Sequence, residues 1–258
     1  MLNYKTSTAT VLLLLVALTM INFFVTRVPL YIFFIVMGLY LLLLVLGSAF
    51  IGMHFYLPSV CHGRRAEKKI ALTFDDGPSE SHTPIILDIL QNQKVPAAFF
   101  CIGKNVERYP ELASRIVSDG HIIGHHSFSH DFWFDLFAAV KMKKEMDITA
   151  RLIEDVTGRY PLLFRPPYGV TNPNLAKALR MSRFIPIGWS LRSNDTVIRT
   201  PEKLLHRLLG KLRAGDIILL HDHGLQTTHI LPEFIREAQN AGFTFVSLDE
   251  LTGLKPYA

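Results

Sequence analysis

The chain splits in two by its pattern of apolar and polar positions. Up to Met53 the apolar residues run almost unbroken, whereas from Lys68 onward short apolar runs alternate with stretches of helical spacing. The leading part holds two apolar stretches, residues 8–26 and 28–53, parted by Arg27 and Pro29. A helix that crosses a bilayer needs ~20 mostly apolar residues, and both stretches reach that length. They predict a two-helix membrane anchor over residues 1–53. The alternative is one span beside an uncleaved signal-like segment; a cleavable signal fits poorly, since its apolar core is only ~7–15 residues long. Residues 54–67, with Pro58 and Gly63, read as a linker. Arg64, Arg65, Lys68 and Lys69 favour the cytoplasmic side by the positive-inside rule, but long domains cross largely regardless of such charges.

Beyond the linker, strands are predicted at 70–74, 97–102, 121–124, 163–165, 184–189, 216–221 and 244–247. Helices are predicted at 84–92, 110–119, 139–157, 174–180, 201–212 and 230–241. Thr200 is placed to cap a helix whose first residue is Pro201, and Gly158 and Gly242 stand where helices must stop. Met142, Met146, Ile153 and Val156 form a core face. Regular strand–helix alternation argues for an α/β fold, a parallel sheet with helices outside. The 68–258 domain is short of the ~250 residues of a full eightfold barrel, so the expectation is a distorted, seven-stranded (β/α) barrel.

Composition sharpens this division. The chain has 258 residues, 49% of them hydrophobic, and its mean hydropathy is +0.26. Residues 1–63 contain no Asp or Glu and only Lys5 and Arg27 as strong bases, so residues 64–258 carry the other 25 Lys and Arg and all 22 acidic residues. The resulting surplus of about +3 is too mild to argue for nucleic acid, which calls for a basic stripe. Cys61 and Cys101 resemble neither a metal cluster nor a disulfide framework.

Five segments could carry chemistry. The strand at 70–74 ends in Asp75-Asp76-Gly77-Pro78, two adjacent carboxylates that need not point at the same partner because side chains alternate along a strand. The second segment, Gly120 to His130, holds His126 and His130 four residues apart; one helical turn would put both imidazoles on one face, a metal-ligand arrangement when a carboxylate joins them. His121, His125 and the distant His82 leave the choice of pair open. The third is Arg165-Pro166-Pro167-Tyr168-Gly169, an irregular backbone able to aim an amide or an arginine at a ligand. The fourth runs from Trp189 to Asp195. The fifth is an apolar strand ending in His221-Asp222-His223. In a parallel sheet Asp75, Asp76, Arg165, Trp189 and His221 all sit at carboxyl ends of strands, the face where barrel enzymes keep their active sites.

In this order the segments resemble the five motifs of the polysaccharide deacetylase family, carbohydrate esterase family four or the NodB-homology domain. The match runs from about Lys69 to Leu251 and includes Ala97-Ala98-Phe99-Phe100 with Ile102-Gly103 and Asn105. The resemblance implies a metal-dependent deacetylase on a distorted (β/α) barrel. It implies that Asp76, His126 and His130 bind a divalent metal, commonly zinc, with cobalt or manganese as alternatives. Asp75 matches the catalytic base, His221 the acid, Arg165 the residue that orients the base and Asp195 the carboxylate that tunes the acid. Tyr168 matches the position whose backbone N–H helps hold the oxyanion, and Trp189, Leu219 and Pro167 the pocket for the acetyl methyl. Two positions depart from the family pattern. His125 stands where Asn usually precedes the first metal histidine, adding an imidazole that could compete for the metal. Thr196 stands where an aromatic often follows the aspartate.

The function expected is therefore deacetylation of an acetylated carbohydrate polymer or oligomer by an enzyme anchored in the bilayer, its catalytic domain outside the cytoplasm. Peptidoglycan or chitin-like glycans lead. A lipid-linked sugar losing an acetyl or formyl group, O-acetylated xylan, and a non-catalytic glycan-binding membrane protein are the alternatives.

Overall fold

A computed structural model of the chain describes residues 3–258. Two helices lead, α1 (Tyr4–Phe24) and α2 (Leu30–Ala49), each long and apolar enough to cross a membrane, with mean hydropathies of 2.0 and 2.7. They pack as a hairpin in which the Thr8 hydroxyl meets the Tyr40 hydroxyl at 2.8 Å. Most of their apolar side chains, among them Leu13, Phe24, Leu30 and Leu39, are exposed.

The remainder runs β1 (Lys69–Asp75), α3 (Thr83–Gln93), β2 (Ala97–Cys101), α4 (Gly103–Arg108), α5 (Pro110–Ser118), β3 (Ile122–His125), α6 (Ala139–Thr157), β4 (Leu163–Phe164), α7 (Pro173–Arg180), β5 (Ile185–Pro186), β6 (Leu191–Arg192), α8 (Pro201–Lys211), β7 (Ile217–His221), α9 (Leu225–Asn240), β8 (Thr244–Phe245) and α10 (Leu248–Thr252). The strand order is β5-β4-β3-β2-β1-β7-β6, with β8 pairing β1, and every pairing between these strands is parallel. The expected α/β architecture is therefore present, a curled parallel sheet that makes a distorted barrel with helices outside.

Alternation along the strands sorts the core. Ile70, Leu72 and Phe74 of β1 face outward and pack with Phe99, Ile123 and Ile218 beneath the helices. Ala71 faces inward with Ala98, Phe100, Ile122 and Ile217 to fill the barrel. Phe74 and Phe99 stack at 5.0 Å between centroids; burial of such a ring contributes roughly 1.5–3 kcal/mol. Thr73 and Asp75 share the inward face and continue it toward the carboxyl end.

Four local expectations change. The strand foreseen at 184–189 shortens to β5 (Ile185–Pro186), because the chain then crosses from β4 to β7 over residues 187–190 and pairs there as β6, on the opposite edge. Thr200 precedes α8 but makes no side-chain cap. Helix α9 starts at Leu225, five residues earlier than the apolar spacing indicated, and accommodates Pro232 in its interior. Residues 54–63, read as a linker, are built into the domain: Phe55, Leu57 and Cys61 are buried. Val60 lies along Ile187, donating to the Pro186 carbonyl and accepting from Gly188, while His62 bridges Asp216. This segment fills the seam between β5 and β7. Helix α2 is joined as firmly: Thr171 N–H donates to the Ser48 carbonyl at 3.0 Å and the Ser48 hydroxyl donates to the Thr171 carbonyl at 2.7 Å.

Candidate active site

Asp75 closes β1, and the chain then turns at Asp76, whose φ of 75° is unusual for a residue other than glycine. That turn sends the two carboxylates to different partners. Asp75 lies inside the barrel, where the Arg165 Nη1 donates to its Oδ1 at 2.7 Å. Arg165 is wholly buried. It is held by the Thr73 hydroxyl at 2.8 Å and the carbonyls of Ile187 and Gly188 at 3.3 and 2.9 Å, and its guanidinium lies 4.1 Å above the Phe100 ring. Burial pushes the Asp75 carboxyl up, while the charges of Arg165 and His221 pull the other way.

Asp76 faces the histidines. Its Oδ1 is buried without a hydrogen-bond donor, 3.5 Å from His126 Nε2 and 3.4 Å from His130 Nε2. His126 holds its Nδ1 against the Arg165 carbonyl at 2.7 Å, so Nε2 turns to Asp76. Burial lowers the His126 imidazole to about 3 and keeps it neutral, the form that ligates metals. Two atoms bound tetrahedrally at about 2.1 Å to one ion stand roughly 3.4 Å apart, so Asp76, His126 and His130 fit a divalent metal. The expected helical turn between the histidines is absent. Residues 126–130 form a loop with left-handed Ser127 (φ 65°) and His130 (φ 47°). Glu145 of α6 clamps it through Phe128 N, Ser129 N and the Ser129 hydroxyl at 3.2, 2.8 and 2.8 Å.

His125 points away from the Asp76, His126 and His130 donors. As the last residue of β3 it points outward, against Phe164 and Phe184 with ring centroids 4.9 and 4.3 Å away, and burial lowers it to about 3. His121 accepts from Ala97 N at 3.3 Å and His82 pairs with Ser81 at 2.7 Å, both away from the carboxylates.

Across the cleft, His221 closes β7. Its Nδ1 meets Asp195 Oδ1 at 2.7 Å and its backbone N–H donates to Oδ2 at 2.8 Å. Thr227 and Ser193 hydroxyls donate to the same carboxylate at 2.7 and 2.9 Å. Burial alone would raise Asp195, but these donors, led by His221, hold it at about 2. Burial alone would lower His221, and the Asp195 bond and charge outweigh it, so the imidazole is raised. The Thr196 substitution thus leaves Asp195 in contact with His221.

Asp75, Asp76, His126, His130 and His221 line a cleft of about 190 Å³ with Tyr168, Gly169, Trp189, Arg192, Thr196, Leu219 and His223. Tyr168 sits at φ 58°, its ring 4.8 Å from that of His130. Gly169 is required, because a Cβ there would lie 2.2 Å from the Trp189 ring. Pro167 is buried under this loop, and Gly169 forms the wall in its place. Three contributors had no role in the sequence reading. The Asn105 amide donates to the Asp76 carbonyl at 2.7 Å, His223 Nδ1 lies 3.3 Å from Asp76 Oδ2, and Arg192 edges the cleft; the sequence signal was their place inside or beside the motifs.

The sequence profile of a family described as polysaccharide deacetylase matches residues 62–183. A peptidoglycan-N-acetylglucosamine deacetylase of Bacillus cereus is 33% identical over 197 residues, covering 73% of this chain and 90% of that protein. The chain belongs to the polysaccharide deacetylase family. It is accordingly a carbohydrate deacetylase, a hydrolase of carbon–nitrogen bonds, in a family that is metal-dependent. The peptidoglycan-N-acetylmuramic acid deacetylase PdaC of Bacillus subtilis is 33% identical over 189 residues, 73% of this chain but only 40% of that protein. Among solved structures, a peptidoglycan N-acetylglucosamine deacetylase bound to a naphthyl-substituted N-hydroxybenzamide superposes with a TM-score of 0.74 at 28% identity, over 78% of this chain and 95% of that one.

Proposed function

We propose that this deacetylase is membrane-anchored and zinc-dependent, and that it removes the N-acetyl group from N-acetylglucosamine-type sugars of peptidoglycan outside the cytoplasm. One observation carries the reading: Asp75, fixed by Arg165, and His221, fixed by Asp195, flank one cleft that also holds the Asp76, His126 and His130 donors. The peptidoglycan substrates named for its relatives support the glycan and the side of the membrane, and the two apolar helices support the anchor.

Asp76, His126 and His130 would hold a zinc ion, which when bound would supply Lewis-acid polarisation of the acetyl carbonyl and acidify water. Asp75 takes the proton from the attacking water, its carboxylate held in one orientation by Arg165. The backbone N–H of Tyr168, set by a left-handed turn, donates to the oxyanion of the tetrahedral intermediate. The amine leaves only when protonated. His221 delivers that proton from Nε2, because Nδ1 is committed to Asp195. Trp189 and Leu219 wall the space for the acetyl methyl.

The test is acetate release by the full chain in phospholipid vesicles, first stripped by chelator and then reloaded with zinc. Zinc-restored acetate from peptidoglycan and from N-acetylglucosamine oligomers is expected. No acetate from either substrate, with zinc bound stoichiometrically, would overturn the proposal.

A further inference from the structure

One side of the cleft opens onto an apolar surface that the reaction does not use. Phe132, Trp133, Leu136 and Val140 are 69, 59, 71 and 73% exposed in a single loop-to-helix segment. The Phe132 and Trp133 rings meet edge-on at 4.8 Å, and Phe132 continues to Tyr168 at 6.3 Å. Exposed apolar patches of this kind mark an interaction surface.

The position of the patch identifies what covers it. Asn172 donates to the Asp135 carbonyl at 2.7 Å and Asn174 to the Phe137 carbonyl at 3.1 Å, which ties this loop to the start of α7. The preceding residue, Thr171, is the one bonded to Ser48 in the last turn of α2. The patch therefore lies beside the end of an apolar helix, where such a helix leaves the hydrocarbon. Its composition fits that level too. Trp and Phe rings favour the interface between headgroups and acyl chains, aliphatic Leu136 and Val140 extend it, and the exposed Lys141 and Lys144 follow, suited to anionic headgroups.

We infer that Phe132, Trp133, Leu136 and Val140 seat in the interfacial layer of the bilayer as a third membrane contact, so that the cleft opens at the membrane surface. The inference rests on the anchored reading given above. A sugar-stacking platform is the rival occupant; the two aliphatic side chains and the continuity with α2 favour lipid.

The sequence has two tryptophans, Trp133 and Trp189, which makes the test direct. The full chain is placed in phosphatidylcholine–phosphatidylglycerol vesicles whose acyl chains carry bromine at their headgroup-proximal carbons. Its emission should fall relative to unbrominated vesicles, and Trp133→Phe should remove the quenched component. Phe132→Ser with Leu136→Ser should weaken the quenching while acetate release from soluble N-acetylglucosamine oligomers persists. Unquenched Trp133 in a chain that floats with the vesicles would overturn the docking alone. Failure to float would overturn the anchor and the docking together. Unquenched Trp133 joined to a raised KM for soluble oligomers in Trp133→Ser, at constant kcat, would assign the patch to sugar instead.

Discussion

Asp75 and His221 are register partners, opposite each other at the carboxyl ends of the parallel strands β1 and β7. Neighbouring strands lie about 4.8 Å apart, so a carboxylate and an imidazole enter one cleft from adjacent strands with no loop needed to bring them together.

Replacing the carboxylate by its amide isolates its chemistry. Asp75→Asn should keep the Arg165 bond and the metal donors, yet lower kcat by about 10²–10⁴-fold, the usual contribution of a general base. Acetate release measured beside zinc content checks this. Full activity in zinc-loaded Asp75→Asn protein would remove Asp75 from the mechanism.

The proposed acid role of His221 makes its pair with Asp195 the expected determinant of the alkaline side of the pH profile. His221 is raised in the folded protein, so activity needing its proton should persist above the ordinary imidazole value of about 6.5. Asp195→Asn removes the charge that raises it, and the alkaline limb should move to lower pH. Stability follows the same signs. The His221 contribution is complete below about pH 6.5 and is lost as pH rises through its raised folded value. The Asp195 contribution is present above about pH 4 and is lost as pH falls toward about 2. The Tm deficit of Asp195→Asn should therefore be largest near pH 5 and shrink toward alkaline pH, as thermal unfolding across that range would show.

Gly77 lies against a buried acid. A Cβ there would stand 2.0 Å from Asp222 Oδ2, and Asp222 is itself fixed by the Thr83 hydroxyl at 2.6 Å. Gly77→Ala should destabilise the turn that carries Asp76. Asp222→Ala should relieve part of that loss, with a coupling of roughly 0.5–3 kcal/mol in a double-mutant cycle of denaturant unfolding.

Metal removal should register as a loss of stability. If Asp76, His126 and His130 hold zinc only in the folded state, free zinc at 100 times Kd stabilises the chain by about 2.7 kcal/mol. The chelator-stripped protein should show a matching rise in Tm on zinc addition. His126→Ala should show almost none.

Much of the scaffold was legible because helices and strands announce themselves by period: residues 139–157 were bounded correctly from spacing and Gly158 alone. The grouping of the candidate site was legible where polar residues coincide with strand ends, as at Asp75 and His221. Long-range contacts were not. The approach of His126 to His130 depends on two left-handed residues and on Glu145, which lies on another element. The harmless placement of His125 depends on which face of β3 ends outward. The integration of residues 54–63 depends on a gap between β5 and β7 that local sequence does not encode.

That gap has a practical consequence. Val60 and His62 supply backbone partners to Ile187 and Asp216, so the folding unit of the catalytic domain begins upstream of the first motif and reaches back toward the second apolar helix. A truncation that starts at residue 64 would uncover the Ile187 edge and take away the carbonyl that the Gly188 amide donates to. It would also loosen the carbonyls of Ile187 and Gly188 that hold Arg165. Cutting the chain where composition changes would thus reach the Asp75 carboxylate, the proposed base, through two hydrogen-bonded steps, although Asp75 itself is eleven positions beyond the cut.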